Sequence, residues 1–339
     1  MTGVERRVPV RYFVLLLGWL TERRFDVDRL LQMAGLERSR LEKPEDTLSP
    51  AEVNAFVVAV RQLTGRTDVA FEMGLLIKLN SHDILGYGLL SCSSIDQMLR
   101  LTTRYYPLMT EMFTLRYQRS PEVSEATYSP VITMPLEMLR FYLEVLAMAH
   151  QNQMAALLGG NIAAYDIHIA MPRPPHFARY LALAPVRFHF DEGAMPGVIV
   201  RMGAEWLDKP LAMANPSVVQ QVVERCDALQ RRPTPASGWG EYVSMLLREA
   251  EGQQPTLEDI AQRLRLSART VDRNLKKENI QFRDLVQQIR FERAKALLAE
   301  PGATVAQVAE RLGFSDSSNF SRAFQRFTGT SPSSLLVKL

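Results

Sequence analysis

The sequence contains few of the features that mark a secreted or membrane protein. Its 339 residues include only two cysteines, Cys92 and Cys226, too few for a disulfide framework and not spaced as metal ligands. The longest apolar run, residues 14–20, is too short to span a bilayer and is interrupted by Gly18, and the N-terminus does not read as a secretory signal. These absences predict a cytoplasmic protein with reduced thiols and no membrane contact.

Signatures of catalysis are missing as well. The chain has no glycine-rich phosphate loop and no HExxH, GxSxG or CxxC motif. Its five histidines are scattered, and His168 and His189 lie in strand-like segments among apolar neighbours, which favours structural, hydrogen-bonded imidazoles over ligands or bases. The sequence therefore predicts no catalytic residue, no metal site and no cofactor, and a protein that is not an enzyme.

Charge is nearly balanced overall but unevenly distributed. The formal net charge is +3. From residue 253 onward there are 14 Lys and Arg against 9 Asp and Glu, a net of +5, so residues 1–252 carry −2. A basic C-terminal module on a faintly acidic body indicates phosphate binding by one domain only.

Two similar segments stand near the C-terminus, TLEDIAQRLRLSARTVDRNLKKE (256–278) and TVAQVAERLGFSDSSNFSRAFQRF (304–327). Each has the pattern of a short amphipathic helix, a tight break and a second helix, with a small residue, Ala261 or Ala309, where the two helices should meet. This is the pattern of a helix-turn-helix unit, whose second helix enters a DNA major groove.

The pattern could also indicate two helical hairpins that pack only for stability. The outward residues of the two second helices favour DNA binding instead. Arginine bonds guanine through two donors, and asparagine and serine read base edges. The residues expected to contact DNA are Arg269, Thr270, Asp272, Arg273, Lys276, Ser317, Ser318, Asn319, Ser321, Arg322 and Arg326.

A helix predicted over residues 282–298 joins the two units, with one apolar stripe formed by Phe282, Leu285, Ile289 and Ala296. Seventeen helical residues span about 25 Å. With the widths of the units themselves, the two second helices could lie about one DNA turn apart, ~34 Å, on one side of the duplex.

Residues 254–335 resemble the DNA-binding domain of the AraC/XylS family of bacterial transcription regulators. The resemblance rests on IAQRLRLSARTVDRNLKKE (260–278), RFERAKALL (290–298) and VAERLGFSDSSNFSRAFQRFTGTSP (308–332). It departs from the family pattern in the acidic Asp272 and in Ser333-Ser334-Leu335 after the SP pair. Within the predicted set, the family's base-contacting positions fall on Arg269, Asp272, Arg273, Ser317, Ser318, Ser321 and Arg322.

The N-terminal body has mixed periodicity and predicts an α+β domain over residues 1–230. Helices are expected at Pro9–Glu22, Asp28–Ala34, Ser49–Gly65, Asp68–Lys78, Ser94–Tyr106, Leu136–Leu158, 175–183 and from Asn215. Strands are expected at Met112–Gln118, Glu125–Met134, Tyr165–Ala170, Val186–Asp191 and Val198–Met202. Residues 231–240, RRPTPASGWG, form the clearest linker, and 241–339 form the DNA-binding domain.

This body also resembles the arabinose-binding-like, non-cupin effector domain of one branch of the same family. The matching stretches include ERRFDVDRLLQMAGLERSRLEKPEDTLSPAEV, DILGYGLLSCSSIDQML and PVRFHFDEG. The resemblance implies an effector-sensing and dimerising domain, and it does not imply that arabinose is the effector.

Three residues, Tyr87, Tyr105 and Arg140, are candidates for effector binding, because arginine offers a carboxylate two parallel donors. The alternative for Arg140 is a pair with Glu144 one helical turn away. Methionines between Met98 and Met154 suit either a core or a pocket for an apolar ligand. The predicted effector is a small carboxylate-bearing or lipid-like metabolite.

Together these features predict a multi-domain protein, an α+β effector domain followed by an all-α domain with two helix-turn-helix units. The function predicted is sequence-specific transcription regulation, activation included, under control of the effector. The expected partners are double-stranded DNA, RNA polymerase and a second copy of the chain, with the protein on the bacterial nucleoid when DNA is bound. Two other readings stay open: a constitutive DNA-binding protein without ligand, and a metabolic enzyme fused to a DNA-binding module.

Overall fold

A computed structural model describes residues 6–43, 46–159, 164–230, 239–250, 254–264, 266–300 and 302–336. The chain divides into two compact units, with the boundary between residues 237 and 238. Most of the predicted linker, residues 231–238, lies outside the described residues.

The described part of the first unit contains ten α-helices. They are α1 (Arg11–Glu22), α2 (Val27–Ala34), α3 (Arg38–Leu41), α4 (Pro50–Thr64), α5 (Val69–Leu76), α6 (Asp83–Leu90), α7 (Ile95–Tyr105), α8 (Leu136–Leu158), α9 (Ala178–Leu181) and α10 (Pro216–Leu229). Single 3-10 turns lie at Leu79–His82, Tyr106–Leu108 and Ala204–Trp206.

The strands described in the first unit are β1 (Val8–Pro9), β2 (Thr47–Leu48), β3 (Phe113–Arg119), β4 (Val123–Pro130), β5 (Asp166–Ile169), β6 (Arg187–Phe190) and β7 (Val198–Gly203). Five of them form the main sheet, in the order β3-β4-β7-β5-β6. Neighbouring strands of this sheet pair antiparallel except β5 and β6, which are parallel. This arrangement is the α+β class that the sequence predicts.

Local signals located several of these elements correctly. Ser49 and Glu52 form the expected reciprocal capping box at the start of α4, with Pro50 at the first helical position. Helix α8 has the predicted bounds, Leu136–Leu158. The hairpin turns at Ser120, as predicted, although β4 ends at Pro130 rather than Met134.

Other expectations are wrong. Pro9 belongs to β1, where it pairs with Thr47, so α1 begins only at Arg11. The sequence predicts apolar neighbours for His168 and His189, but each histidine has the other as one neighbour. The two residues pair across β5 and β6, and their rings stack with centroids 4.4 Å apart. Arg140 bonds Glu192 at 2.8 Å instead of Glu144.

Helix α6 is not among the helices that the sequence predicts, and its sequence, DILGYGLL, contains two glycines. The structure shows why they are there. A Cβ atom at Gly86 would collide with the backbone carbonyl of Leu79, and one at Gly88 would lie 2.7 Å from a Val222 methyl. The glycines allow α6 to pack closely against the preceding turn and α10.

The described part of the second unit is helical. Its helices are α11 (Trp239–Glu249), α12 (Leu257–Leu264), α13 (Ala268–Lys277), α14 (Phe282–Leu298), α15 (Val305–Arg311) and α16 (Ser317–Thr328), followed by a 3-10 turn at Pro332–Leu335. The last two residues assigned to the linker, Trp239 and Gly240, belong to α11, because the Glu278 carboxylate accepts hydrogen bonds from both backbone N–H groups.

Candidate DNA-binding surface and effector cavity

The first helix pair, α12 and α13, is built from local capping and a small buried contact. Thr256 and Asp259 bond reciprocally ahead of α12: each side chain accepts from the other residue's backbone N–H, at 3.1 and 2.8 Å. Ile260 and Ala261 are buried on the inner face of α12. Ser267 caps α13 by accepting from the Thr270 N–H at 3.1 Å.

Helix α13 presents a mixed-charge outer face. Val271 and Leu275 are fully buried, which turns Arg269, Arg273 and Lys276 to solvent. Thr270 is half-buried and bonded to Ser267. Asp272, the acidic departure from the family pattern, pairs with Lys276 at 2.7 Å, so that one of the basic residues is partly neutralised.

The second helix pair, α15 and α16, is also capped by side chains at the start of each helix. Thr304 and Gln307 form the predicted capping box. Gly313 ends α15 with φ of 71°, a backbone conformation that glycine adopts without strain. Asp316 caps α16 by accepting from the Asn319 N–H at 2.7 Å, a bond that lowers the pKa of its carboxyl group.

Side chains on the outer face of α16 and just before its first residue are hydrogen-bonded to one another. Asn319 accepts a hydrogen bond from Arg322 at 2.6 Å and donates to Asp316 at 2.6 Å and Ser315 at 2.9 Å. Ser321 donates to the Ser317 carbonyl at 2.7 Å. The network holds the Arg322 guanidinium in a defined orientation while Ser318 and Arg326 stay exposed.

Helix α14 connects the two pairs, and its predicted bounds are confirmed. The single predicted stripe is wrong: Ala296 is exposed while Phe291 and Ala294 are buried. The reason is that α14 packs on both α11 and the second pair, so it has more than one buried side. Arg290 reinforces the joint, donating to the Leu312 carbonyl at 2.6 Å and lying 3.8 Å over the Phe314 ring.

A separate feature of the first unit is a cavity of about 70 Å³ between α1, α5, α7, α8 and β4. Its lining is mostly aliphatic and aromatic. The lining residues are Val8, Tyr12, Phe13, Met73, Ile77, His82, Thr102, Tyr106, Met109, Thr110, Tyr128, Tyr142, Val145, Leu146, Ala149, His150 and Gln153.

Two buried histidines are among the polar residues of this lining. His82 lies 2.9 Å from the Tyr12 hydroxyl through Nδ1 and 2.9 Å from the Gln153 amide nitrogen through Nε2. His150 Nδ1 lies 2.9 Å from the Tyr128 hydroxyl. Burial lowers the pKa of His82 to about 3 and that of His150 to about 4, so both rings are neutral near pH 7.

Tyr142 differs from the other polar lining residues. Its hydroxyl is buried, and the described residues supply no hydrogen-bond partner for it. The Tyr165 hydroxyl is in the same condition, but Tyr165 does not line the cavity.

The three residues predicted to bind effector lie elsewhere. Tyr87 is exposed on α6. Tyr105 is buried and donates to Asp227 at 2.5 Å, and Arg140 is paired with Glu192. None of the three lines the cavity. The residues that do line it come from at least seven separate segments of the chain. The only sequence feature that indicated an apolar pocket is the methionine-rich composition.

The remaining features of the described residues concern metal ligands, membrane-spanning helices and thiols. Among the residues that the structure describes, no group of three or more His, Cys, Asp or Glu side chains is placed to hold a metal ion. Within the same ranges no helix is long and apolar enough to cross a membrane. Cys92 and Cys226 are buried free thiols, and burial raises the pKa of Cys92 to about 12 and that of Cys226 to about 11.

Comparison with known proteins gives matches to both units. Residues 25–211 match the model of the N-terminal arabinose-binding domain of AraC transcription regulators, and residues 260–337 match a helix-turn-helix domain. The ornithine utilization regulator of Pseudomonas aeruginosa is 28% identical, with 96% of this chain and 95% of the relative covered. An uncharacterised HTH-type transcriptional regulator of Mycobacterium tuberculosis is 26% identical, with coverage of 97% and 96%. The crystal structure of the transcriptional regulator CdpR from Pseudomonas aeruginosa aligns with a TM-score of 0.47 at 20% identity, over 96% of this chain and 97% of that one.

Proposed function

The chain belongs to the AraC family of transcription regulators, since the arabinose-binding-domain model covers more than half of it, and we propose that α13 and α16 read two successive major-groove segments of one DNA site. The observation that carries this proposal is that both helices bury their apolar residues and turn arginine, lysine, serine and asparagine outward. The residues proposed to contact DNA are Arg269, Thr270, Asp272, Arg273, Lys276, Ser317, Ser318, Ser321, Arg322 and Arg326, with Asn319 supporting Arg322.

We propose the cavity of the first unit as the effector site, in place of Tyr87, Tyr105 and Arg140. Ligand pockets are concave, mostly apolar and equipped with a few convergent polar groups, and the cavity has this composition. An effector changes DNA affinity only through its different affinities for the two states of the regulator, so DNA and effector must affect each other's binding reciprocally.

The remaining parts of the proposal rest on family membership. They are a homodimer formed through the first unit, contact with RNA polymerase, activation of transcription, and location in the bacterial cytoplasm on the nucleoid. An enzymatic activity is not proposed, because the relatives that span the chain are named as transcription regulators. Ornithine, which the first relative's name suggests for that protein, is one effector to test here.

Selection of binding sites from random DNA by the full-length protein tests the DNA proposal. We expect a bipartite motif whose two blocks are about 10 base pairs apart, because two major-groove segments on one face recur at that spacing. Arg273→Ala should relax preference in one block and Arg322→Ala in the other. Absence of any enriched sequence, or loss of both blocks in both variants, would argue against two independent reading helices.

A further inference from the structure

The cavity's walls contain polar atoms but no charged side chain. None of the lining residues is Asp, Glu, Lys or Arg. The two histidines that line it are neutral near pH 7 because they are buried, and the charge of the nearby Arg11 lowers the pKa of His82 further. A ligand in this space would therefore meet hydroxyl, imidazole and amide groups, but no counter-ion.

An ion is poorly accommodated in such a site. Moving a carboxylate or an ammonium group out of water without a paired charge costs far more than moving a neutral polar group. A diamino acid would bring three charged groups. Arg11 is a charged residue close to the lining: its side chain donates to the Leu108 carbonyl at 3.1 Å, and its guanidinium lies 5.1 Å from the Tyr12 ring centroid. Arg11 does not itself line the cavity.

Tyr142 supplies a position for one specific contact. Its ring lines the cavity, and its buried hydroxyl lacks a partner among the described residues. A buried hydroxyl without a partner is unfavourable, and a ligand oxygen that accepts its hydrogen would remove that cost. Among the described lining residues, Tyr142 is the one whose buried side-chain polar atom has no hydrogen-bond partner.

Size gives a further constraint. The cavity of about 70 Å³ is roughly half of the ~150 Å³ at which an apolar protein cavity is known to take up benzene. Met73 and Met109 line it, and methionine side chains repack readily because they are unbranched. A ligand with one ring would have to displace these side chains.

We propose that the effector is a small uncharged molecule, mostly apolar, whose hydroxyl or carbonyl oxygen accepts a hydrogen bond from Tyr142. Neutral alcohols, phenols and ketones belong to this class, and amino acids and simple carboxylates are excluded from it. The inference rests on the proposal that the cavity is the effector site, and it replaces the carboxylate-bearing effector expected from the sequence.

Three probes of one size separate the alternatives: benzyl alcohol, benzoate and benzylammonium, which carry the same ring and one-carbon substituent with charges of 0, −1 and +1. Each is titrated into the full-length protein while the melting temperature of the first unit is followed. We expect benzyl alcohol to raise Tm by about 2–4 °C at ten times its Kd, and the two ions to leave it unchanged.

Tyr142→Phe and Tyr165→Phe form a matched pair, because each removes one buried hydroxyl that lacks a described partner and only the first faces the cavity. Tyr142→Phe should weaken benzyl alcohol binding about 5- to 10-fold, and Tyr165→Phe should leave it unchanged. Equal affinities in the two variants would overturn the hydrogen bond to Tyr142.

Ala149→Leu, which fills the cavity from α8, should abolish the effect of every probe, with Val145→Leu as the substitute if the first variant does not fold. If benzoate or benzylammonium stabilises the protein as well as the alcohol does, and Ala149→Leu removes that effect, the site stands and the uncharged class is wrong. If no probe acts, or if the alcohol still acts on the filled variant, the cavity is not the effector site and both proposals fail.

Discussion

At the scale of single residues, Asn319 and Arg322 have different roles although both face outward on α16. The Asn319 amide is hydrogen-bonded within the protein through both polar atoms: its oxygen accepts from Arg322, and its nitrogen donates to Ser315 and Asp316. A guanidinium has five donors, so the bond to Asn319 leaves Arg322 with others for a guanine edge. We therefore propose that Asn319 positions Arg322 and that Arg322 reads DNA.

Arg322→Ala should cost about 1–3 kcal/mol of binding free energy at the preferred site and relax selection at one or two base pairs. Asn319→Ala should give a smaller loss at the same base pairs, because the guanidinium remains but is no longer held. Binding to a panel of single-base variants of the site measures both. Arg311→Ala, on α15 and paired with Glu300, is the control without an effect on preference. A loss that is uniform over all sequences would make Arg322 a phosphate contact.

At the scale of elements, the close approach of α6 to the turn before it positions part of the cavity. Gly86 lies against the Leu79 backbone, and the same turn carries His82, whose imidazole lines the cavity. A glycine with no such contact is Gly18 in α1, where a Cβ atom would meet nothing within 4 Å. The two helical glycines therefore have opposite packing requirements.

Gly86→Ala should destabilise the first unit by about 1–3 kcal/mol, because the added methyl group cannot move the backbone carbonyl away cheaply. Gly18→Ala should stabilise it by about 0.5–1 kcal/mol, because alanine loses less backbone entropy in a helix. Urea unfolding followed by circular dichroism gives both values. If Gly86→Ala leaves stability unchanged or raises it, the close packing at Gly86 is wrong.

At the scale of the whole molecule, the unit boundary decides which fragment folds. Trp239 is buried, and its backbone N–H bonds Glu278, so the second unit begins before residue 241. We expect a fragment from residue 238 to fold alone and bind DNA as a monomer. A fragment from residue 241 should be less stable by about 3 kcal/mol, the typical cost of losing a large buried aromatic side chain. Equal unfolding midpoints would show that Trp239 contributes nothing.

Protonation of the cavity histidines should make the first unit acid-sensitive. An unfolded histidine titrates near pH 6.5, whereas burial keeps the pKa of folded His82 and His150 at about 3 and 4. Between these values the unfolded chain binds more protons. The contribution of the two neutral imidazoles to the free energy of unfolding is therefore complete above pH 6.5. It is lost as pH falls, by about 1.4 kcal/mol per pH unit for each histidine.

Unfolding free energies at pH 7, 6 and 5 test this dependence. His150→Gln should reduce the slope by about 1.4 kcal/mol per pH unit, because glutamine does not titrate. An unchanged slope in His150→Gln would show that this ring does not titrate as its burial requires.

The sequence by itself determined the elements whose causes are local. Capping pairs such as Thr304 with Gln307, the small Ala309 and the spacing of apolar residues located both helix-turn-helix units, and α14 between them, to within a residue or two. Tertiary structure alone decided what depends on distant segments. Gly86 looks like a helix breaker until Leu79 is seen against it, and Arg140 pairs with a residue 52 positions away. The cavity unites residues from β1 to α8, and no local pattern records that meeting because periodicity reports which face of an element is buried, not what it is buried against.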